Sequence, residues 1–435
     1  MDEFEQVLTR LDPPTADRVR PVLDLLFGEP GHRTPLSDLH QLSLQHFLWI
    51  RLPDAWFVDE LEHHEIAWSF GDFLEAAGLQ RYATICRSQR THEILSTWHV
   101  DAEEGARVAR EAQQTSGVLP PDTGTLTFGS QTGNQEERTL TRVTRLLEDL
   151  IVRGELDPGS PRFKNQSLQA VETFLRTPTA TYDGMAPAAV VQRERAALWA
   201  HRLSSRLRGF WDETLPMLEK AATVPHNVEL ALGPVTAVLE AVRDGVTLTS
   251  AGYLPPKVAV ALDDRFAWSE EYLRKTPRGE GDLPPLQWLH QHLREQRLLT
   301  KRGNKLTVSA EGRRALDDPL RLWRALVAPS PRWRPGFEHD TLGLMAALLL
   351  ADGSFSSDGL REELRRVLAL KWRPPSGASL DDGISWVQLD WYRLGNVLGW
   401  WSDSRRHILS ESGRAAAASL FWAVATQPQE RRLHQ

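Results

Sequence analysis

A short phrase occurs three times in the second half of the chain and limits what this region can fold into. In each copy an apolar residue is followed by Ser or Thr, then by two further residues and Gly; the copies span residues 248–252, 308–312 and 409–413. The apolar residue before the hydroxyl is typical of a strand end, and Ser or Thr is favoured at a helix N-cap. The phrase therefore predicts a strand that ends where a hydroxyl caps the next helix.

The segment before the second copy predicts a helix followed by a β-hairpin. Leu286, Leu289 and Leu293 share one face of a helix that begins with proline. The β-prone runs 298–300 and 306–308 flank a Gly-Asn turn, which is typical of a hairpin. Helix, hairpin and capped helix is the order of a winged helix, in which the helix enters a DNA groove and the hairpin touches the DNA backbone.

This segment is also basic, although the whole chain has a formal net charge of −7. Residues 294–314 contain seven basic and two acidic side chains, a local charge of +5. Gln and Arg at i, i+4 and i+7, away from the leucines, can read base edges, and lysines in the turn suit phosphates. The predicted nucleic-acid-binding residues are Gln287, Gln291, Arg294, Arg297, Lys301, Arg302, Lys305 and Arg313.

The other two copies fit this pattern less well. Residues 386–422 again predict a helix, a short hairpin and a capped helix, but the exposed face of the helix would carry Asp390, Arg393 and Asn396, which is nearly neutral. The first copy is followed almost at once by two prolines, so its helix must restart, and no basic hairpin precedes it. The DNA-binding pattern is therefore strongest in the second copy.

The chain has 435 residues, more than one hydrophobic core usually organises. Helical spacing throughout predicts a mainly α fold, with a helical N-terminal half followed by winged-helix-like modules with short β-hairpins. The predicted parts are an acidic helical domain at 1–176, open to division near 115–135, a linker at 177–189, a helical segment with a winged-helix-like module at 190–335, and a C-terminal module at 336–435.

Charge is distributed unevenly along the chain. Residues 1–160 carry −13, so residues 161–435 carry +6. An acidic front and a mildly basic rear indicate different partners. We predict duplex DNA as a partner of the C-terminal half, and a protein partner or self-association for the N-terminal half.

The opening residues lack the order of a signal peptide, and the longest apolar stretch, 342–351, is about half the length of a membrane span. These features predict a cytoplasmic protein without a membrane segment, in which 342–351 forms a buried helix. Cys86 is the only cysteine, which excludes an intrachain disulfide and a zinc site built on several cysteines. We expect it to be a buried structural residue.

Motifs for catalysis are missing from the sequence. It contains no phosphate-binding loop, no dinucleotide-binding glycine pattern and no nucleophile elbow. The polar cluster at 63–65 is predicted to be the solvated face of an acidic helix, and the one at 338–340 a polar linker. We therefore predict no catalytic residue, no metal ligand and no cofactor.

The C-terminal region resembles that of a group of uncharacterised actinobacterial proteins. The resemblance is carried by LTSAGYLPPKVAVAL, then LREQRLLTKRGNKLTVSAEGRRALDDPLRLWRAL, then a Trp-rich helical tail, and it covers roughly 40% of the chain. The segments QHFLWIRLPDAWF and RYATICRSQRT of the front half resemble a second such group. These resemblances imply winged-helix-like repeats and a bacterial source, and they imply no activity.

Two functions fit these observations. The preferred hypothesis is a nucleic-acid-binding regulatory or accessory protein that uses a winged-helix module. The alternative is a protein–protein adaptor or scaffold within a larger complex, without catalytic activity, which the overall acidity and the neutral third copy favour. An enzyme of another type would show a pocket of converging polar groups in the front half. The sequence decides neither the ligand of the modules, nor sequence specificity, nor oligomeric state.

Overall fold

The computed structural model describes residues 3–56, 58–129, 133–204, 207–272, 276–333, 336–374 and 379–428. These residues are mainly helical, which confirms the predicted fold class at this level, and their strands all lie between Val246 and Leu409. The chain divides into two compact units. The first comprises Met1–Val191 with Pro428–Gln435, and the second comprises Gln192–Gln427.

The first unit is built from helices. They are α1 Glu3–Leu8, α2 Pro13–Phe27, α3 Gln41–His46, α4 Leu52–Ala55, α5 Glu60–Ala76, α6 Gln80–Cys86, α7 Gln89–Val100, α8 Ala102–Thr115, α9 Asn134–Val152, α10 Phe163–Arg176 and the start of α11 Pro187–Leu203. Short 3₁₀ turns cover Leu36–Asp38 and Ala180–Tyr182, and a π-helical turn covers Phe47–Arg51.

The first unit has two apolar clusters. One centres on buried phenylalanines of α1, α5 and the π-helical turn: Phe4, Phe47, Phe70 and Phe73. The other joins α9 and α10 through Val143, Leu147, Val171 and Leu175. Cys86 is buried against the first cluster, as predicted, and its burial raises the pKa of the thiol.

The second unit adds short strands to its helices. Its elements after α11 are α12 Arg208–Lys220, α13 Val228–Ala231, α14 Gly233–Ala241, β1 Val246–Thr247, α15 Pro256–Phe266, α16 Trp268–Tyr272, α17 Pro284–Glu295, β2 Leu299–Arg302, β3 Lys305–Val308, α18 Ala310–Leu316, α19 Pro319–Val327, α20 Phe337–Ala351, α21 Ser357–Leu368, α22 Leu380–Val397, β4 Trp401–Asp403, β5 Ile408–Leu409 and α23 Glu411–Ala425. A 3₁₀ turn at Glu280–Asp282 precedes α17.

The helix α20 is the central element of this unit. Residues 342–350 are all buried, so the predicted buried helix is confirmed. Among the described residues, no helix is both long enough and apolar enough to cross a membrane. The prediction of a polar linker at 338–340 is wrong, because these residues form the first turn of α20 and Asp340 is 5% exposed.

The buried carboxylate of Asp340 is satisfied by three donors. The indole Nε1 atoms of Trp199 and Trp372 donate to it over 3.0 and 2.9 Å, and Lys371 Nζ lies 2.6 Å away. A buried charge is tolerated when it is paired and hydrogen-bonded in this way. The partners come from distant segments of the chain, which explains why the local sequence looked like a linker.

The predicted hairpin is confirmed as the antiparallel pair β2–β3, with Arg302 opposite Lys305 beside the turn. Gly303 has φ 60°, a conformation that favours glycine in a two-residue turn. In addition, β1 pairs with β3 through Val246 and Leu306, which makes a three-stranded sheet in the order β1-β3-β2. The second hairpin, β4–β5, is a separate two-stranded sheet.

The repeated phrase caps helices in its second and third copies. Ser309 Oγ accepts from the N–H of Gly312 over 2.9 Å, and Ser410 Oγ accepts from that of Gly413 over 3.1 Å, as predicted. In the first copy the Thr249 hydroxyl instead accepts from an N–H within a turn, and α15 starts only later, so the helix restarts as expected for that copy. Consecutive prolines at the start of α15 impose this break.

The second and third copies share further local structure. Ser309 Oγ donates to the carbonyl of Arg297, and Ser410 Oγ to that of Gly399, each over 2.7 Å. Both acceptor residues have positive φ, 57° and 63°. The donor and acceptor are 12 residues apart in one copy and 11 in the other. The two copies are therefore the same local motif, with a hairpin one residue shorter in the third.

Replacing a capping serine should destabilise the second unit. Ser309→Ala or Ser410→Ala removes an acceptor for a helix N-terminal N–H, and each should lower the free energy of unfolding by about 1 kcal/mol. Urea denaturation measures the change. Ser250→Ala is the control, because this exposed serine of the first copy caps no helix. An equal effect of all three substitutions would contradict a specific capping role.

Candidate nucleic-acid interface

The helix α17 buries the leucine stripe that its sequence predicted. Leu286, Leu289 and Leu293 are fully buried in the core of the second unit. Their burial turns another side of the helix outward, where Gln291 and Arg294 are exposed and Gln287 is half-buried. The i, i+4, i+7 spacing therefore places these three side chains along one outer strip of α17, as expected.

A groove of about 880 Å³ runs beside this strip. It is lined by α17, by the start of β2 and by the turn at 251–253. Five of the predicted nucleic-acid-binding residues line it: Gln287, Gln291, Arg294, Arg297 and Lys301. Arg302 and Lys305 lie beyond its edge, exposed and opposite each other at the hairpin turn. Arg313 lies on α18, outside the groove, and donates to the carbonyl of Val308 over 3.0 Å.

The groove and hairpin carry uncompensated positive charge. Among the residues that the structure describes, five exposed cations of this surface form no ion pair: Arg294, Arg297, Lys301, Arg302 and Lys305. By contrast, Arg314 and Arg321 on the neighbouring helices both pair with Glu311, and the hydrogen bond from Arg321 lowers the pKa of that carboxyl group. We call the five unpaired residues the basic strip.

The two glutamines are already engaged. Gln287 Nε2 donates to the carbonyls of Glu280 and Gly281 over 2.9 and 3.0 Å. Gln291 Nε2 donates to Glu295 Oε1 over 2.8 Å. Contact of either amide with a base would require exchange of these bonds. The cations, in contrast, are available without rearrangement.

Sequence reasoning missed a buried acid–imidazole pair in the wall of the groove. Glu280 Oε1 lies 2.8 Å from His290 Nδ1, and both side chains are almost fully buried. The other carboxylate oxygen of Glu280 accepts from the N–H of Leu254 over 2.5 Å. This pair ties the 3₁₀ turn to α17 and to the segment before α15. No periodic spacing links these residues, so the sequence holds no signal for the pair.

The corresponding helix of the third copy, α22, packs against α17. The residues predicted for its exposed face are half-buried as a result: Asp390, Arg393 and Asn396. Asp390 pairs with Arg332, and the guanidinium of Arg393 lies 5.4 Å from the ring centroid of Trp288. The polar face of α22 is therefore largely used within the unit.

In the first unit, the prediction of a solvated face at 63–65 is wrong for His63, which is 2% exposed. The helix α7 covers this side of α5 and brings its own histidines with it. His63 Nδ1 lies 2.8 Å from His99 Nε2, and His64 Nδ1 lies 3.0 Å from His92 Nδ1. Burial lowers the pKa of His63 and of His64, and the neighbouring imidazoles act in the same direction.

These histidines do not form a metal site in the part of the chain that the structure describes, where no three His, Cys, Asp or Glu side chains converge on one point. Their two contacts instead join α5 to α7. Protonation of His63 or His64 would place a positive charge in the contact between the two helices. The cluster therefore links the stability of the first unit to pH.

Acidification should weaken this unit. Because the folded state keeps His63 and His64 neutral at pH values where the unfolded chain binds protons, their contribution is complete above pH about 6.5 and is lost as pH falls below it. Between pH 7 and pH 5.5 the free energy of unfolding should fall less in His64→Gln than in the parent protein, by up to about 1 kcal/mol. Urea denaturation across this range measures it. His32→Gln, at an exposed histidine, should leave the pH dependence unchanged.

Comparison of the chain with protein-family models, with curated proteins and with solved structures finds no match to any of them. What the groove binds must therefore be inferred from its own residues. Together, the groove and the hairpin present exposed cations that have no ion-pair partner among the described residues and are spaced along a helix end and a hairpin.

Proposed function

We propose that this chain is a nucleic-acid-binding regulatory or accessory protein that contacts duplex DNA through α17 and the β2–β3 hairpin. The observation that carries the proposal is the basic strip. Its cations have no acidic partner among the described residues, although the chain as a whole carries −7. Such local polarisation attracts a polyanion to one face of an otherwise acidic protein.

The topology around the strip supports a winged-helix module. Helix α14, strand β1, helices α15, α16 and α17 and the pair β2–β3 follow one another, and the sheet order is β1-β3-β2. In a winged helix the helix before the hairpin enters the major groove, and the hairpin meets the backbone. The basic strip occupies these two elements and the bend between them.

Most of the affinity should come from phosphates. We expect the backbone contacts from Lys301, Arg302 and Lys305 on the hairpin and from Arg294 and Arg297 at and just after the end of α17, because these cations are exposed and have no ion-pair partner among the described residues. Phosphate contacts position a protein on DNA and carry no sequence information. Because the glutamine amides are engaged, we expect binding with modest sequence preference and a strong dependence on salt.

One observation favours the alternative, a protein–protein adaptor. Helix α22 covers one side of α17, and the equivalent polar face of the third copy is half-buried and internally paired. A recognition helix flanked in this way has less room in a DNA groove. In the adaptor interpretation, the basic strip would bind an acidic protein segment.

The deciding experiment is an anisotropy titration of the intact protein with a labelled, mixed-sequence duplex at low salt. We expect micromolar affinity and a log–log salt slope of up to about −4, because each phosphate contact contributes about −0.9 on duplex DNA. A single strand of the same sequence serves as comparison. If neither duplex nor single strand binds at micromolar protein, the adaptor function replaces this proposal.

A further inference from the structure

A second cavity lies within the same unit, beside α17, and shares the lining residues Gln291 and Glu295 with the groove. It has a volume of about 280 Å³ and is enclosed by α17, by α22 and by the segment 326–333. Its walls include four indole rings: Trp288, Trp333, Trp386 and Trp391. Concave, largely apolar sites with a few polar groups are typical of small-molecule binding.

Both acidic groups of this cavity already contact Arg332. Arg332 lies 3.1 Å from a carboxylate oxygen of Glu295 and also pairs with Asp390. Ser330 Oγ donates to the other oxygen of Glu295 over 2.9 Å. Neither acid is therefore available to a cationic ligand without breaking its contacts with Arg332.

One cation of the cavity remains available. Of the charged side chains that the structure describes in this cavity, Arg393 alone has no ion-pair partner. Its guanidinium lies over the ring of Trp288, 5.4 Å from the ring centroid, and this contact orients the guanidinium. No carboxylate accepts from its N–H groups among the described residues of the cavity. A guanidinium presented in this way fits a carboxylate or a similar planar anion.

The aromatic part of a ligand has a matching surface. Trp386 is 62% exposed, although it lines the cavity, and it precedes Arg393 by two helical turns on the same face of α22. The two Cα atoms are thus about 10 Å apart along the helix axis. Trp391 is 6% exposed, and its indole N–H has no hydrogen-bond partner among the described residues. Its side chain forms part of the cavity wall.

We propose that this cavity binds a small planar aromatic anion. The ring of the ligand packs on Trp386, and its carboxylate pairs with Arg393. A cationic ligand would have to displace Arg332 from one of the two acids. This site is separate from the basic strip, and the inference does not depend on DNA binding.

A shape-matched series of ligands tests the proposal on the unmodified protein. The probes are 2-naphthoate, its neutral isostere 2-naphthamide and its cationic counterpart 2-naphthylmethylammonium, each followed by isothermal titration calorimetry. We expect 2-naphthoate to bind one-to-one with Kd below about 1 mM, and the amide to bind at least about tenfold more weakly. The ammonium compound should show no saturable heat.

Variants locate the binding. Arg393→Gln should remove the preference for the acid over the amide, and Trp386→Ala should weaken both about fivefold because it removes the ring on which the ligand packs. The matched controls are Arg142→Gln, whose guanidinium also lies over an aromatic ring at 5.0 Å, and Trp68→Ala, which is 58% exposed. Both controls lie in the first unit and should leave the binding unchanged.

Four results would overturn the proposal. They are no saturable heat with 2-naphthoate at millimolar concentration, equal affinity for the acid and the amide, tighter binding of the ammonium compound, or an acid preference that survives Arg393→Gln. Because the first three are read on the unmodified protein, a variant that fails to fold cannot obscure the outcome.

Discussion

Reversing the charge of the β2–β3 hairpin is expected to weaken duplex binding by at least about 100-fold at low salt. The variant combines Lys301→Glu, Arg302→Glu and Lys305→Glu. If DNA binds as proposed, each change removes a cation that would face a phosphate and places a carboxylate near the DNA backbone. The three side chains are exposed, so the free energy of unfolding should stay within about 0.5 kcal/mol of the parent value. Anisotropy and urea denaturation measure the two quantities.

The third copy of the repeat provides a matched control. Arg405→Glu, Arg406→Glu and Arg414→Glu make the same charge change at exposed positions of the second hairpin and the helix after it. We expect affinity to fall by less than about threefold, from long-range repulsion alone. In the β2–β3 variant, the salt slope should flatten by about 0.9 for each phosphate that is no longer neutralised. Equal effects of both triple variants would mean that net charge, and not the hairpin, controls binding.

The second large effect concerns stability. Asp340→Ala should lower the free energy of unfolding by about 3–5 kcal/mol, because breaking a buried charge network strands its partners. The indole N–H groups of Trp199 and Trp372 and the ammonium of Lys371 would all lose their acceptor. Asp340→Asn, which keeps an acceptor oxygen but no charge, should have an intermediate effect. Urea denaturation with tryptophan fluorescence reports the unfolding of this unit.

A surface acid of the same unit shows what removal of a carboxylate alone does. Asp358 is 92% exposed and lies 3.5 Å from Arg361 one helical turn away. Asp358→Ala should therefore change the free energy of unfolding by less than about 0.5 kcal/mol. If Asp340→Ala were equally mild, water would be replacing the carboxylate, and the network would not be an anchor of α20.

The polar groups that sequence reasoning placed correctly act over short distances along the chain. Ser309 and Ser410 cap helices through an N–H three residues on, and the β2–β3 pair closes through a two-residue turn. The leucine stripe of α17 needed only helical periodicity to reveal which face is buried. Local hydrogen bonds and periodic burial are encoded in neighbouring residues, so the sequence by itself determined these elements.

Other features were decided only by tertiary structure. Helix α7 covers the histidines of α5, and the carboxylate of Asp340 meets an indole 141 residues away in the chain. Strand β1 pairs with β3, although helices α15, α16 and α17 and strand β2 lie between them in the chain. Such contacts depend on how elements that are distant in the chain pack together, and the spacing of residues within a single helix or strand does not predict them.

The candidate interface combines both kinds of information. The basic residues of the hairpin and the outer strip of α17 follow from local sequence, which is why five of the groove's lining residues could be named from the sequence. Packing decided that the turn at Glu280–Asp282 holds Gln287 and that α22 packs against α17. The local sequence thus determined which charged and polar side chains lie on this surface. The tertiary structure decided which of them remain unpaired and what they face, because pairing and burial depend on partners that are distant in the chain.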